Sequence, residues 1–231
     1  MDGGPEGDAV GAGDAAASMS AARPPPIQTA IMRKGSPRKA APTWLVGEKV
    51  RLRPIEPGDV EMLQRWINTS PARDFIFRRL PLSFEQERDW AANASVNPNT
   101  PCYIIQTLAG VDIGNIVLHI EGARASLGIA IHEPTYWAKG LGTDAVRTLV
   151  DGAFRVRPLV RIELTVYPDN VRAIRCYERA GFSREGVMRS YVYKDGTYAD
   201  VLLMSILHEE WLARTAARRP KRGRASGRRR A

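Results

Sequence analysis

The apolar positions of this chain change rhythm along its length, and the changes mark its elements. Val50-Arg51-Leu52-Arg53 alternates as a short strand, and Pro57-Gly58-Asp59 opens a helical stretch through Leu63 and Trp66. Ser83-Phe84-Glu85-Gln86 has capping-box spacing, in which the serine and glutamine side chains satisfy each other's backbone donors, and it predicts a helix through Trp90. Three β-rich runs follow, Tyr103–Leu108, Ile113–Glu121 and Ala125–Ile131, punctuated by Ala109-Gly110 and Glu121-Gly122. Links this short predict an antiparallel meander and not βαβ units.

The second half reads differently. A glycine loop at Gly140–Gly142 leads into a helix carrying Ala145, Leu149 and Phe154, and Ile162–Val166 reads as a buried strand. Val171–Ala180 reads as a helix closed by Gly181, with Phe182 after it. Strands around Val187–Tyr193 and Tyr198–Ile206 flank Lys194-Asp195-Gly196, whose Asp-Gly pair is a strong hairpin signal. The sum is an α+β fold with helices between its later strands.

Composition places this domain between two tails. Residues 1–43 are mostly Ala, Gly, Pro and Ser, with Pro24-Pro25-Pro26 in the middle, and are predicted to be disordered; Met19 and Met32 are alternative starts. The net charge of +9 is concentrated in residues 214–231, which hold nine Lys or Arg and no acid, while residues 44–213 carry −1. The expected folded domain is therefore 44–213, followed by a disordered basic tail. That tail suits non-specific RNA or ribosome contact through phosphate neutralisation, and it lacks aromatics for base stacking. No apolar run approaches the roughly 18 residues that span a bilayer. The N-terminus lacks the apolar core of a secretory signal, and Asp2, Glu6, Asp8 and Asp14 argue against a transit peptide, so a cytoplasmic protein is expected. Cys102 and Cys176 lack zinc-ligand spacing and are read as reduced thiols, with no metal site.

Two segments carry chemistry. In Tyr136–Ala145, glycines at alternate positions let backbone N–H groups approach a ligand, and the helix start adds its dipole, so a phosphate or pyrophosphate is the natural guest. A turn that merely starts a helix reads the same way. No P-loop string occurs. Gly140-x-Gly142-x-x-Ala145 with Glu163 beyond it mimics a dinucleotide fingerprint, but Pro134 and an antiparallel run precede it where a strand of a βαβ unit belongs. In the second segment, Asn170–Tyr177, helical spacing stacks Asn170 and Tyr177 on one face. Asn170 suits an N-cap, and Tyr177 fits either a core aromatic or a functional hydroxyl.

Together these features resemble the GNAT superfamily of acetyl-CoA-dependent N-acetyltransferases, closest to its RimJ/RimL-like and spermidine-acetyltransferase branch. The carriers are Leu52-Arg53-Pro54, Ile113-Gly114-Asn115-Ile116, Gly128-Ile129-Ala130-Ile131, Trp137–Gly142, Asn170–Tyr177 with Ala180-Gly181-Phe182, and the Asp195-Gly196–Met204 hairpin. The resemblance implies a mixed, mostly antiparallel sheet of about seven strands flanked by helices. It implies that the backbone of Ile129, Ala130 and Ile131 pairs with the pantetheine arm of acetyl-CoA. Trp137, Ala138, Lys139, Gly140, Leu141, Gly142 and Thr143 would wrap the pyrophosphate, with Trp137 standing where the family pattern has Gln or Arg. Asn170 would bond the cofactor near a pantetheine amide, and Tyr177 would act as acid to the departing thiolate. Homodimers through sheet edges are common in the family.

Full proton transfer from a tyrosine near 10 to a thiol near 8.5 is uphill by roughly 2 kcal/mol. A hydrogen bond that strengthens as charge develops on sulfur avoids that cost. Relatives often place a Glu on the fourth strand where this chain has Ser126, which leaves His119, His132 and Glu121 as candidate bases, or a water relay. A missing strong base favours an acceptor already partly neutral, so a protein or peptide N-terminal α-amine is expected, with polyamines or aminoglycosides as the alternative. A catalytically idle fold holding RNA or DNA through the basic tail is the reading from another class.

Overall fold

Runs of alternating burial assemble into one seven-stranded sheet in the computed structural model, which describes residues 45–77 and 80–218. The strands are β1 (Val50–Pro54), β2 (Cys102–Thr107), β3 (Asp112–Glu121), β4 (Arg124–Ile131), β5 (Arg161–Val166), β6 (Ser183–Lys194) and β7 (Thr197–Leu207). Their spatial order is β1-β2-β3-β4-β5-β7-β6, and every neighbouring pair is antiparallel except β4 and β5. The helices are α1 (Val60–Thr69), α2 (Phe84–Val96), α3 (Leu141–Val156), α4 (Val171–Ala180) and α5 (His208–Arg218).

The period of two divides the sheet between two cores. Ile162, Leu164 and Val166 of β5 join Ala145, Leu149 and Ile174 of α3 and α4 on one face. On the other face α1 and α2 bury Leu63, Trp66 and Ala91 against Cys102 and Ile104 of β2. Local signals hold the helix ends. Ser83 and Gln86 form the expected capping box, Asn170 Oδ1 accepts from Ala173 N at 3.2 Å, and Gly181, at φ +117°, closes α4 with its N–H on Tyr177 O at 2.9 Å. The β6–β7 turn has Asp195 and Gly196 at φ +51° and +86°, as a two-residue hairpin requires.

One boundary moves. The basic tail expected from residue 214 begins inside α5, which runs on to Arg218. Trp211 anchors that helix, buried beside Phe154 with its indole N–H on Asp151 Oδ1 at 2.6 Å. Residues 1–44 and 219–231, with the disorder and nucleic-acid contact expected of them, lie outside the described residues. Among the described residues, no helix is long and apolar enough to cross a membrane.

Two features of the sheet position the site. β4 and β5 pair only from Arg124–Arg161 to Ser126–Glu163 and then diverge, so Leu127–Ile131 have no strand partner on that side. On the other side β3 lies tight against β4. A Cβ on Gly114 would collide with Ala130 O and lie 2.9 Å from Ile131 Cα, which is why a glycine stands in the middle of β3.

Candidate active site

The gap between β4 and β5 opens into a cavity of about 1130 Å³ that reaches from the glycine loop to α1 and α2. Backbone polar groups alternate between the two edges of a strand. Ala130 O faces Gly114, and His132 N donates to Ile113 O at 2.9 Å, so the even-numbered residues turn to β3 and the odd-numbered ones to the gap. The N–H and C=O of Ile129 therefore point into the cavity. The expected backbone edge is corrected at two places: Ala130 pairs with β3, and Ile131 O is already taken by the indole N–H of Trp137 at 2.7 Å.

The glycine loop is shaped by Ala138 and Gly140, both left-handed at φ +59° and +79°. The first helical bond of α3 is Asp144 N to Gly140 O at 3.0 Å, so the N–H groups of Leu141, Gly142 and Thr143 have no intrahelical acceptor. All three residues line the cavity, and a helix start with free donors there is an anion seat. The Asp144 carboxylate does not spoil it. It faces β1 and accepts from the backbone N–H groups of Glu48, Lys49 and Val50 at 3.1, 2.7 and 3.0 Å, tying the start of β1 to α3.

Positive charge reaches this loop from places with no local sequence signal. Lys49 Nζ donates to Lys139 O at 3.0 Å, and the Arg172 guanidinium lies 3.6 Å from the centroid of the Trp137 ring. Trp137 thus brings a borrowed cation to the position where the family pattern carries a polar or basic side chain. No local signal marks Arg172 within the Asn170–Tyr177 segment; only the fold sets it over the indole. Lys139, expected at the pyrophosphate, points its ammonium at the Tyr136 ring, 5.6 Å away, and does not line the cavity.

Asn170 and Tyr177 both line the cavity, as their shared helix face required. Asn170 spends its side-chain oxygen on the α4 cap. Tyr177 is 8% exposed, and burial pushes its hydroxyl pKa upward, so it keeps its proton. Beside it, Cys176 receives the Thr143 hydroxyl at 3.4 Å, and burial raises that thiol too.

The candidate bases separate. Glu121 is exposed at the end of β3, in register with Arg124 of β4, and does not line the cavity. His132 is 4% exposed and stacked on Trp66 at 4.9 Å, with Nε2 2.9 Å from Asn115 Oδ1. Burial lowers its pKa to about 4, which makes it a weak base. His119 reaches the cavity from β3. Glu163, singled out in the sequence only as part of a dinucleotide pattern, also lines the cavity.

A family model described as an acetyltransferase (GNAT) domain matches residues 49–183. The chain belongs to the GNAT acetyltransferase family. The chain is 27% identical to the spermidine N(1)-acetyltransferase of Escherichia coli K12, over 71% of this chain and 89% of that one. It is 31% identical to an aminoglycoside N(6')-acetyltransferase type 1 of Klebsiella pneumoniae, over 61% and 77%. The spermidine N-acetyltransferase of Vibrio cholerae, solved with CoA and spermine, superposes with a TM-score of 0.65 at 25% identity, covering 71% of this chain and 98% of that one. This GNAT protein is an acetyl-CoA-dependent N-acetyltransferase, and the dinucleotide reading of its glycine loop falls away. Its residues fit that cofactor: a free strand edge for an amide-bearing arm and unpaired N–H donors for phosphate.

Proposed function

We propose that this GNAT enzyme acetylates a primary amine of a small polycation, a polyamine or an aminoglycoside. The observation that carries this reading is a half-exposed carboxylate, Glu163 of β5, lining the cavity that also holds Ile129 and Tyr177. An ammonium group of a polyamine or aminoglycoside gains from that carboxylate. The expectation of a protein N-terminus rested on the missing acid at Ser126. Two relatives bear the names of spermidine and aminoglycoside acetyltransferases, and they support the alternative acceptor.

Bound in the gap, acetyl-CoA supplies a thioester carbonyl carbon that accepts the amine nitrogen. The chain's own residues do the rest. Ile129 offers its N–H and C=O to the arm, and the N–H groups of Leu141, Gly142 and Thr143 with Arg172 hold the phosphates. Tyr177, kept protonated by burial, donates a hydrogen bond to the sulfur as charge develops there. Thiol release assayed with spermidine, spermine, kanamycin and an unblocked peptide tests the acceptor class. Faster turnover of the polycations is expected; preference for the peptide overturns it.

A further inference from the structure

One line of side chains crosses the sheet at the floor of the gap. His119 of β3 is in register with Ser126 of β4, and Ser126 is in register with Glu163 of β5. Registered neighbours on adjacent strands project to the same face with Cβ atoms about 5 Å apart. All three line the cavity. The Ser126–Glu163 rung is also the last at which β4 and β5 pair, so it closes the gap at the end opposite the glycine loop.

Glu163 is held there by one oxygen. Its Oε2 accepts from Arg161 Nε at 2.5 Å, and Arg161 is fixed in turn by Glu185 of β6 at 2.7 and 2.6 Å. Oε1 has no hydrogen-bond donor among the described residues. The side chain is 35% exposed, open enough to meet a substrate and to exchange a proton with solvent. No other carboxylate on β3, β4 or β5 lines the cavity; Glu121 lies beyond it at the end of β3.

We propose that Glu163 Oε1 is the general base that seats and deprotonates the acceptor ammonium, with Ser126 and His119 completing the seat on the same rung. The inference rests on the acetyl-transfer reading above and supplies from β5 the carboxylate that Ser126 denies to β4. Oε1 takes one proton from the ammonium and returns it to solvent. The freed lone pair forms the C–N bond to the thioester carbon while the C–S bond breaks. The second N–H proton leaves through the Tyr177 hydroxyl to the sulfur, so Tyr177 ends protonated. The net result is amide, thiol and one released proton.

The test compares Glu163→Gln with wild type in steady-state transfer and in calorimetric binding of the acceptor in the presence of CoA. Loss of a general base lowers kcat/KM by roughly 100-fold. The deficit should shrink as pH rises towards the amine pKa, because solvent then supplies the neutral amine. The titratable and charged groups around Glu163 along that profile are Arg161, which it contacts on its own strand, Glu185 of β6 on the other side of Arg161, and His119 two strands away on the same rung, with Glu87 of α2 elsewhere in the cavity wall. Acceptor binding should weaken, CoA binding should not change, and Ser126→Glu in the Glu163→Gln background should recover activity by placing a carboxylate on the neighbouring rung position. Equal kcat/KM in wild type and Glu163→Gln overturns the base and leaves acetyl transfer standing. Failure of the wild type to acetylate any amine overturns both. A pH-independent loss overturns the base role in favour of a purely electrostatic seat.

Discussion

Replacing Gly114 by alanine tests whether the close approach of β3 and β4 sets the geometry of the cofactor edge. The added Cβ meets the carbonyl oxygen of Ala130 and the Cα of Ile131, which are backbone atoms and cannot swing aside. Overpacking of a tight interior costs about 1–3 kcal/mol, and a clash with backbone belongs at the upper end. The smaller entropy of an unfolded alanine returns about 0.4–1 kcal/mol, leaving a net loss of roughly 2 kcal/mol. For a domain of this size that lowers Tm by roughly 4–8 °C. The β4 backbone is the element displaced, so the free Ile129 edge shifts with it, and CoA affinity should fall by about tenfold, equivalent to about 1.4 kcal/mol. Gly186→Ala in β6 is the control, because a Cβ there meets nothing within 4 Å. Thermal melts and calorimetric titration with CoA read both effects. A Gly114→Ala protein that melts and binds CoA like Gly186→Ala would refute the reasoning.

Tyr177→Phe should lower kcat at least about tenfold while CoA affinity stays within about twofold, measured by thiol release and calorimetry; unchanged turnover would remove its hydroxyl from the chemistry. Arg172→Ala should weaken CoA binding by about fivefold, since a cation–π contact and a phosphate cation are lost together, and the effect should shrink in high salt. An unchanged dissociation constant counts against the borrowed cation. His132 makes stability depend on pH: unfolded it binds a proton below about 6.5, folded only below about 4, so stability falls as pH drops through that window. The loss is about 3 kcal/mol over the window, and melts of His132→Gln should have a shallower pH slope; parallel slopes would sink the assignment.

Much of the site was legible because its signals are local. The turn at Gly140, the Asn170 cap and the Gly181 stop are demands of neighbouring backbone, and a sequence displays such demands within a few residues. Tyr177 was placed on the same helix face as Asn170 by the 3.6-residue period, and that face is the one that meets the cavity. The family resemblance makes Ile129, Ala130 and Ile131 one edge, yet alternation along the strand gives the gap only the odd-numbered members. Residue names alone do not reveal which edge of β4 lacks a partner.

What the chain determined by itself was the order and kind of its elements as far as β7, the caps that end its helices, and a glycine loop fit to meet phosphate; α5 was not among them. These follow from short-range sterics and hydrogen bonding, whose range is a few residues. Tertiary structure decided the contacts between distant residues: Arg172 over Trp137, the Asp144 carboxylate on the β1 backbone, His132 neutral against Trp66, and the His119–Ser126–Glu163 rung. Each depends on strand order and register, which long-range burial selects, and above all on where β4 and β5 stop pairing.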